Sequence, residues 1–122
     1  MTRREITNQR DLSFSHWIRE KLPDSKTGFM VTDLDFLLYN YKTKKIMFME
    51  VKTRHCELKR WQKIIFRNLH NWVKKGIDED WTYQGYHLIQ FENTNFEDGK
   101  VFFDYIESNE EKIIKILSLK NL

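Results

Sequence analysis

Cysteine, proline and glycine are scarce in this chain, at one, one and four among 122 residues. The lone Cys56 cannot close an intramolecular disulfide, and it excludes a zinc cluster built from several cysteines. So little proline and glycine excludes collagen-like and linker-rich chains. Long apolar runs are missing too. Phe36-Leu37-Leu38-Tyr39 and Ile46-Met47-Phe48-Met49 fall far short of the about 20 residues that a spanning helix needs. The first residues, with Arg3, Arg4, Glu5, Arg10 and Asp11, lack the apolar stretch of a signal peptide. Charge of one sign is also weak: 21 basic against 18 acidic side chains leave +3, too little for a histone-like polycation. What is present is a core-forming composition, 40% hydrophobic and 15% aromatic despite 32% charged residues. We expect one reduced, cytoplasmic α/β domain over residues 1–122 with no membrane partner.

Residues 1–12 are polar and read as a flexible arm. From Ser13 to Leu22, Phe14, Trp17, Ile18 and Leu22 recur at the period of an amphipathic helix. Pro23 and the run Asp24–Gly28 end it. Two strands follow, Phe29–Tyr39 and Lys45–Thr53, joined by the polar hairpin connection Asn40–Lys44. A helix over Glu57–Lys75, closed by Gly76, carries Leu58, Trp61, Ile65, Leu69, Trp72 and Val73 on its apolar face. After the acidic loop Asp78-Glu79-Asp80 come strands at Tyr86–Phe91 and Val101–Tyr105, with a turn at Asp98-Gly99. Ser108–Glu111 reads as a capping box that opens a last helix through Ile113, Ile114, Ile116 and Leu117. The order α-β-β-α-β-β-α predicts a small mixed β-sheet flanked by helices.

Four charges stand where strands rarely carry them. Asp33 and Asp35 are two apart and so share a face; Glu50 and Lys52 do likewise. A hairpin centred between Lys42 and Thr43 sets Asp35 opposite Glu50 and Asp33 opposite Lys52. Directly opposed side chains have Cβ atoms about 4.5–5.5 Å apart, close enough for two carboxylates to hold one cation. A slip of one residue would put the pairs on opposite faces. Each residue alone also fits an ordinary surface charge or a turn cap. Jointly, flanked by apolar residues, they favour a metal site, because facing like charges destabilise a sheet unless a cation bridges them.

The segment Thr32-Asp33-Leu34-Asp35-Phe36-Leu37-Leu38, followed by Met47-Phe48-Met49-Glu50-Val51-Lys52-Thr53-Arg54, resembles the PD-(D/E)xK nuclease superfamily. That superfamily includes many restriction endonucleases, Holliday-junction resolvases and phage exonucleases. The resemblance implies a restriction endonuclease-like fold, with Asp35 and Glu50 as metal ligands and the Val51 carbonyl as a third. It implies Lys52 as the catalytic lysine beside the attacking water and the scissile phosphate. The pattern departs at Leu34, where the family often has proline. A literal Pro23-Asp24 occurs upstream at a helix end, so Asp33 and Asp24 stand as alternatives to Asp35 for the first position. Asp33 also shares the face of Asp35 and is a candidate additional site residue.

The second helix adds an independent observation. Gln62 falls inside the apolar sector of Leu58, Ile65, Leu69 and Val73, where its amide must find hydrogen-bond partners. It is either a satisfied core glutamine or a group reaching the active site, as a glutamine from this helix does in many similar nucleases. Lys59, Lys63, Arg67, His70 and Lys74 form a stripe, read as a solvated face or a phosphate-tracking surface. Arg54, directly after the motif, is a candidate phosphate contact. Glu20 is a candidate extra ligand by the same resemblance, against a plain surface charge. His16 and His55 are weaker phosphate or base candidates, and Cys56 lacks partners for nucleophilic catalysis.

The expected function is hydrolysis of DNA phosphodiester bonds by a Mg²⁺-dependent nuclease, with Mn²⁺ able to substitute. The alternatives are a non-catalytic nucleic-acid-binding module of the same fold, and a toxin-like or partner-binding domain with a chance motif. In the last case Asp35 and Glu50 would not converge. The length suits recognition of DNA structure, ends or single strands better than sequence-specific restriction. A homodimer through Trp72, Trp81 or the last helix is a further expectation.

Overall fold

The computed structural model describes residues 9–121, which divide between Thr32 and Asp33 into two compact units. The first unit holds α1 (Gln9–Lys21) and a short 3-10 turn, Ser25–Thr27. The expected arm is therefore helical from residue 9 onward, and its residues 1–8 lie outside the described residues. Phe14 and Trp17 do not sink into a core as their spacing predicts. Their rings stack on each other 5.5 Å apart and stay 63% and 46% exposed. Asp24 caps the short turn, its carboxylate accepting the Lys26 N–H at 2.8 Å.

The second unit is a mixed α/β fold. Its strands are β1 (Phe36–Asn40), β2 (Lys45–Thr53), β3 (Thr82–Phe91), β4 (Val101–Phe103) and β5 (Ile106–Ser108). Helix α2 (Arg60–Gly76) connects β2 to β3, and α3 (Glu110–Leu117) follows β5. The five strands lie in chain order, with β2 and β3 parallel and the other pairs antiparallel. A parallel pair needs a long crossover, and α2 supplies it. Met49, Ile89, Val101 and Ile113 form the core on the α3 side of the sheet; Leu58, Phe66 and Leu88 form that on the α2 side.

The β1–β2 register pairs Phe36 with Met49 and Asn40 with Lys45, as a hairpin centred between Lys42 and Thr43 requires. The bounds of β2 also match the sequence reading. The first strand does not begin at Phe29: it starts at Phe36, so Asp33 and Asp35 precede it. The cause is local. At the next rung the Asp35 N–H donates to the Glu50 carboxylate, and the Val51 N–H donates to the Asp35 carboxylate, so side chains replace the ladder.

Other boundaries shift for identifiable reasons. Helix α2 starts at Arg60, and Gly76 is its last residue rather than a left-handed cap; Ile77, extended, closes it through its N–H to Val73. Its buried anchor is Phe66, at 2% exposure, whereas Trp72 is 67% exposed. β3 reaches back to Thr82 through a bulge, where Gln84 and Gly85 face Met47 and Gly85 takes φ 98°. The strand expected over Val101–Tyr105 is instead a tight β4–β5 hairpin. Asp104 and Tyr105 form its turn at φ 49° and 71°, the pattern of a type I′ turn without its usual glycine. The last helix is capped by Asn109, not Ser108, through the Lys112 N–H. No helix among the described residues is long and apolar enough to cross a membrane.

Candidate functional site

β2 alternates between the two sides of the sheet. Met49 goes to the α3 core, and Glu50, paired with Leu88 on β3, faces the α2 side. Glu50 is 2% exposed and is the buried charged side chain of the described residues. Asp35 lies across from it at the mouth of the hairpin. Two bonds tie the segments together: Glu50 Oε1 accepts the Asp35 N–H at 2.9 Å, and Asp35 Oδ2 accepts the N–H of Val51, the residue after Glu50, at 2.9 Å. Each bond uses one carboxylate oxygen, and the other oxygen of each group retains its acceptor capacity.

Burial pushes the Glu50 carboxyl up to about 7, with the Asp35 carboxylate adding to the rise. The Asp35 N–H and the Lys52 charge pull the other way. Lys52 stands two residues on, on the same side of the sheet, opposite Gln90. Tyr86, next along β3 on that side, has a buried hydroxyl with no hydrogen-bond partner among the described residues. Burial raises its pKa, and the charges of Glu50 and Asp35 raise it further.

Immediately after β2 the chain makes a strained turn. Arg54 and His55 take φ 52° and 63°, closed by the Cys56 N–H to the Thr53 carbonyl at 3.0 Å. Such values are uncommon outside glycine and cluster where a site holds them. Both side chains are exposed, so the turn presents two basic groups at the end of the strand that carries Lys52.

Gln62 is half-buried, and its Oε1 accepts the Lys59 N–H at 3.1 Å, capping the start of α2. Lys59, Lys63, Arg67 and Lys74 are exposed along that helix, while His70 is half-buried with Nδ1 3.0 Å from the Tyr83 hydroxyl. Asp33 is exposed at the start of the second unit; Glu20 and His16 are exposed on α1 in the first, where Asp24 serves as a cap. Cys56 is exposed and free. Among the described residues no group of three or more His, Cys, Asp or Glu side chains could hold a metal ion. The side-chain donors at the site are thus the Asp35–Glu50 pair.

A second polar constellation escaped the sequence reading. His87 Nδ1 lies 2.6 Å from Asp104 Oδ2, and its Nε2 lies 2.6 Å from the Gln84 carbonyl, so both ring nitrogens face acceptors. Burial alone would lower the His87 pKa, but the Asp104 carboxylate and the Gln84 carbonyl raise it above its ordinary value. Asp104 also accepts the Leu88 N–H at 2.8 Å, which ties the β4–β5 turn to β3. The only sequence signal was Gly85, whose bulge brings the Gln84 carbonyl to the ring.

Comparison with known proteins gives no match: no family model fits the chain, and no curated protein or solved structure matches it significantly.

Proposed function

We propose that this chain is a divalent-metal-dependent nuclease of the PD-(D/E)xK type, with a restriction endonuclease-like core, that hydrolyses phosphodiester bonds in DNA. The observation that carries this reading is the convergence of Asp35 and Glu50, 15 residues apart, through the Asp35 N–H to the Glu50 carboxylate and the Val51 N–H to the Asp35 carboxylate. A chance motif in an unrelated domain has no reason to converge in this way. The donor set suits Mg²⁺, which binds through one or two carboxylates and keeps several waters. The raised Glu50 pKa is the electrostatic counterpart, since a buried carboxylate with a second carboxylate beside it is relieved by a cation between them.

In this reading Asp35 and Glu50 hold Mg²⁺ or Mn²⁺, with the Val51 carbonyl as a third donor. When bound, the ion polarises the scissile phosphate and lowers the pKa of water. Lys52 places a positive charge against the negative charge that develops on the phosphoryl oxygens and orients the attacking water. Arg54, held out by its left-handed turn, contacts a flanking phosphate, and Lys59, Lys63 and Arg67 track the backbone. Gln62 spends its carbonyl oxygen on the helix cap, which leaves its amide N–H groups as the part that meets substrate. Asp33 is the candidate to support a second ion.

The test is incubation with labelled duplex, single-stranded, flap and four-way-junction DNA, and RNA, with and without Mg²⁺. Cleavage that requires Mg²⁺, stops in EDTA and is lost in Glu50→Gln and Lys52→Ala supports the reading. Cleavage that persists in chelator refutes it. Salt-dependent binding with no turnover in Mg²⁺ or Mn²⁺ would identify the non-catalytic module instead.

A further inference from the structure

A hollow of about 310 Å³ opens between α2 and the β4–β5 turn. Its chemistry is uneven. Lys63, Arg67 and His70 line it from α2, one helical turn apart, and present two permanent cations and an imidazole. His70 uses Nδ1 toward the Tyr83 hydroxyl, which leaves Nε2 as its group for a ligand. The floor is apolar and aromatic, with Phe66, Tyr86 and Leu88. Across from the cations stands Tyr105, 61% exposed in its left-handed turn at φ 71°.

Two further observations orient the hollow. Tyr86 lines it while its buried hydroxyl, with no hydrogen-bond partner among the described residues, feels the charges of Glu50 and Asp35. The hollow and the carboxylate pair therefore share a wall. Tyr105 also lines a second hollow of about 260 Å³ with His55 and Gln90, and Gln90 is the β3 partner of Lys52. One exposed ring thus borders both hollows.

We propose that the hollow receives one unpaired nucleotide of single-stranded DNA, its base against Tyr105 and its phosphate held by Lys63 and Arg67. Stacking on an exposed aromatic ring with cations along the backbone is how single strands are held without sequence preference. A paired base inside a duplex offers no free face to Tyr105. The inference rests on the nuclease reading for its DNA, and it narrows the substrate to strands with an unpaired nucleotide beside the cleaved bond.

The experiment is fluorescence anisotropy of a short fluorescein-labelled single strand in EDTA, with the matching duplex and a fully abasic strand as further probes. Tyr105→Asn removes the ring while keeping a residue that tolerates the left-handed turn; Tyr105→Trp keeps an aromatic face. We expect the wild type to bind the single strand more tightly than the duplex. Tyr105→Asn should weaken single-strand binding by about 5- to 150-fold, the span of one stacked base, and Tyr105→Trp should retain it. The abasic strand should bind the wild type no better than Tyr105→Asn binds the intact strand. Wild-type affinity in Tyr105→Asn, or an abasic strand bound as tightly as the intact one, overturns the proposal. The two readings separate cleanly. Tyr105-dependent binding without Mg²⁺-dependent cleavage retains the nucleotide pocket and removes the nuclease; cleavage with Tyr105-independent binding does the reverse.

Discussion

The two sides of β2 and β3 differ in what they bury. Toward α3, Met49, Ile89, Val101 and Ile113 make an apolar cluster, with Ile113 at 1% exposure. Toward α2, the next residue of β2 is the buried Glu50, followed two residues on by Lys52 and flanked by the Tyr86 hydroxyl, which has no hydrogen-bond partner among the described residues. One side is satisfied by packing alone. The other holds charge that packing does not neutralise, beside open hollows. A period-2 strand thus separates stability from chemistry within a single element.

Four changes test that division, beginning with the largest effect. Lys52→Ala should cut Mg²⁺-dependent cleavage by about a thousandfold or more, since such charge stabilisation supplies several kcal/mol. Its thermal midpoint should stay near that of the wild type, read by circular dichroism. A collapse of the fold in this variant would make Lys52 a structural residue instead. Ile113→Ala should do the converse, costing about 2–5 kcal/mol in urea unfolding through lost burial and a cavity. Its cleavage per folded molecule should be unchanged.

The third change uses pH. The Glu50 carboxyl has a folded-state pKa of about 7 against an ordinary 4.5. Between those values the folded state keeps a proton that the unfolded chain has released, so this group's contribution to stability falls as pH rises through that window. Glu50→Gln removes the titration. Its stability gain over the wild type should grow from near zero at pH 4.5 to about 3 kcal/mol above pH 7. Mg²⁺ at the higher pH should raise the wild-type midpoint and not that of Glu50→Gln. A gain that does not vary with pH would refute the buried-charge account. Smallest is Asn109→Ala, which removes the cap of α3 on the apolar side. It should cost about 1 kcal/mol in the same urea titration, without altering cleavage.

The legible part of the site was its hairpin. The polar run Asn40–Lys44 centred the turn, and pairing followed for Asp35 and Glu50 even though Asp35 stands just outside the strand. The period of α2 was legible as well, since Leu58 and Ile65 of the expected stripe reach the α2-side core, but its most buried anchor, Phe66, was not on that stripe. Helix α1 shows the opposite failure, since Phe14 and Trp17 keep the right spacing yet remain exposed. Periodicity marks a face, and it does not say what covers it. Asp104 and Tyr105 were read as strand because neither is glycine. Their left-handed turn is held instead by the bonds of Asp104 to Leu88 and His87.

The sequence by itself determined the β1–β2 register, the span of β2, the crossover helix and the facing of Asp35 and Glu50. These depend on local alternation and on the length of one connection, both written in consecutive residues. Tertiary structure alone decided that Glu50 is buried, that the Tyr86 hydroxyl has no hydrogen-bond partner among the described residues, and that Tyr105 stands across a hollow from Lys63 and Arg67. Those facts join β2, α2, β3 and the β4–β5 turn. Burial and electrostatic coupling depend on distance in space, which spacing along the chain does not encode.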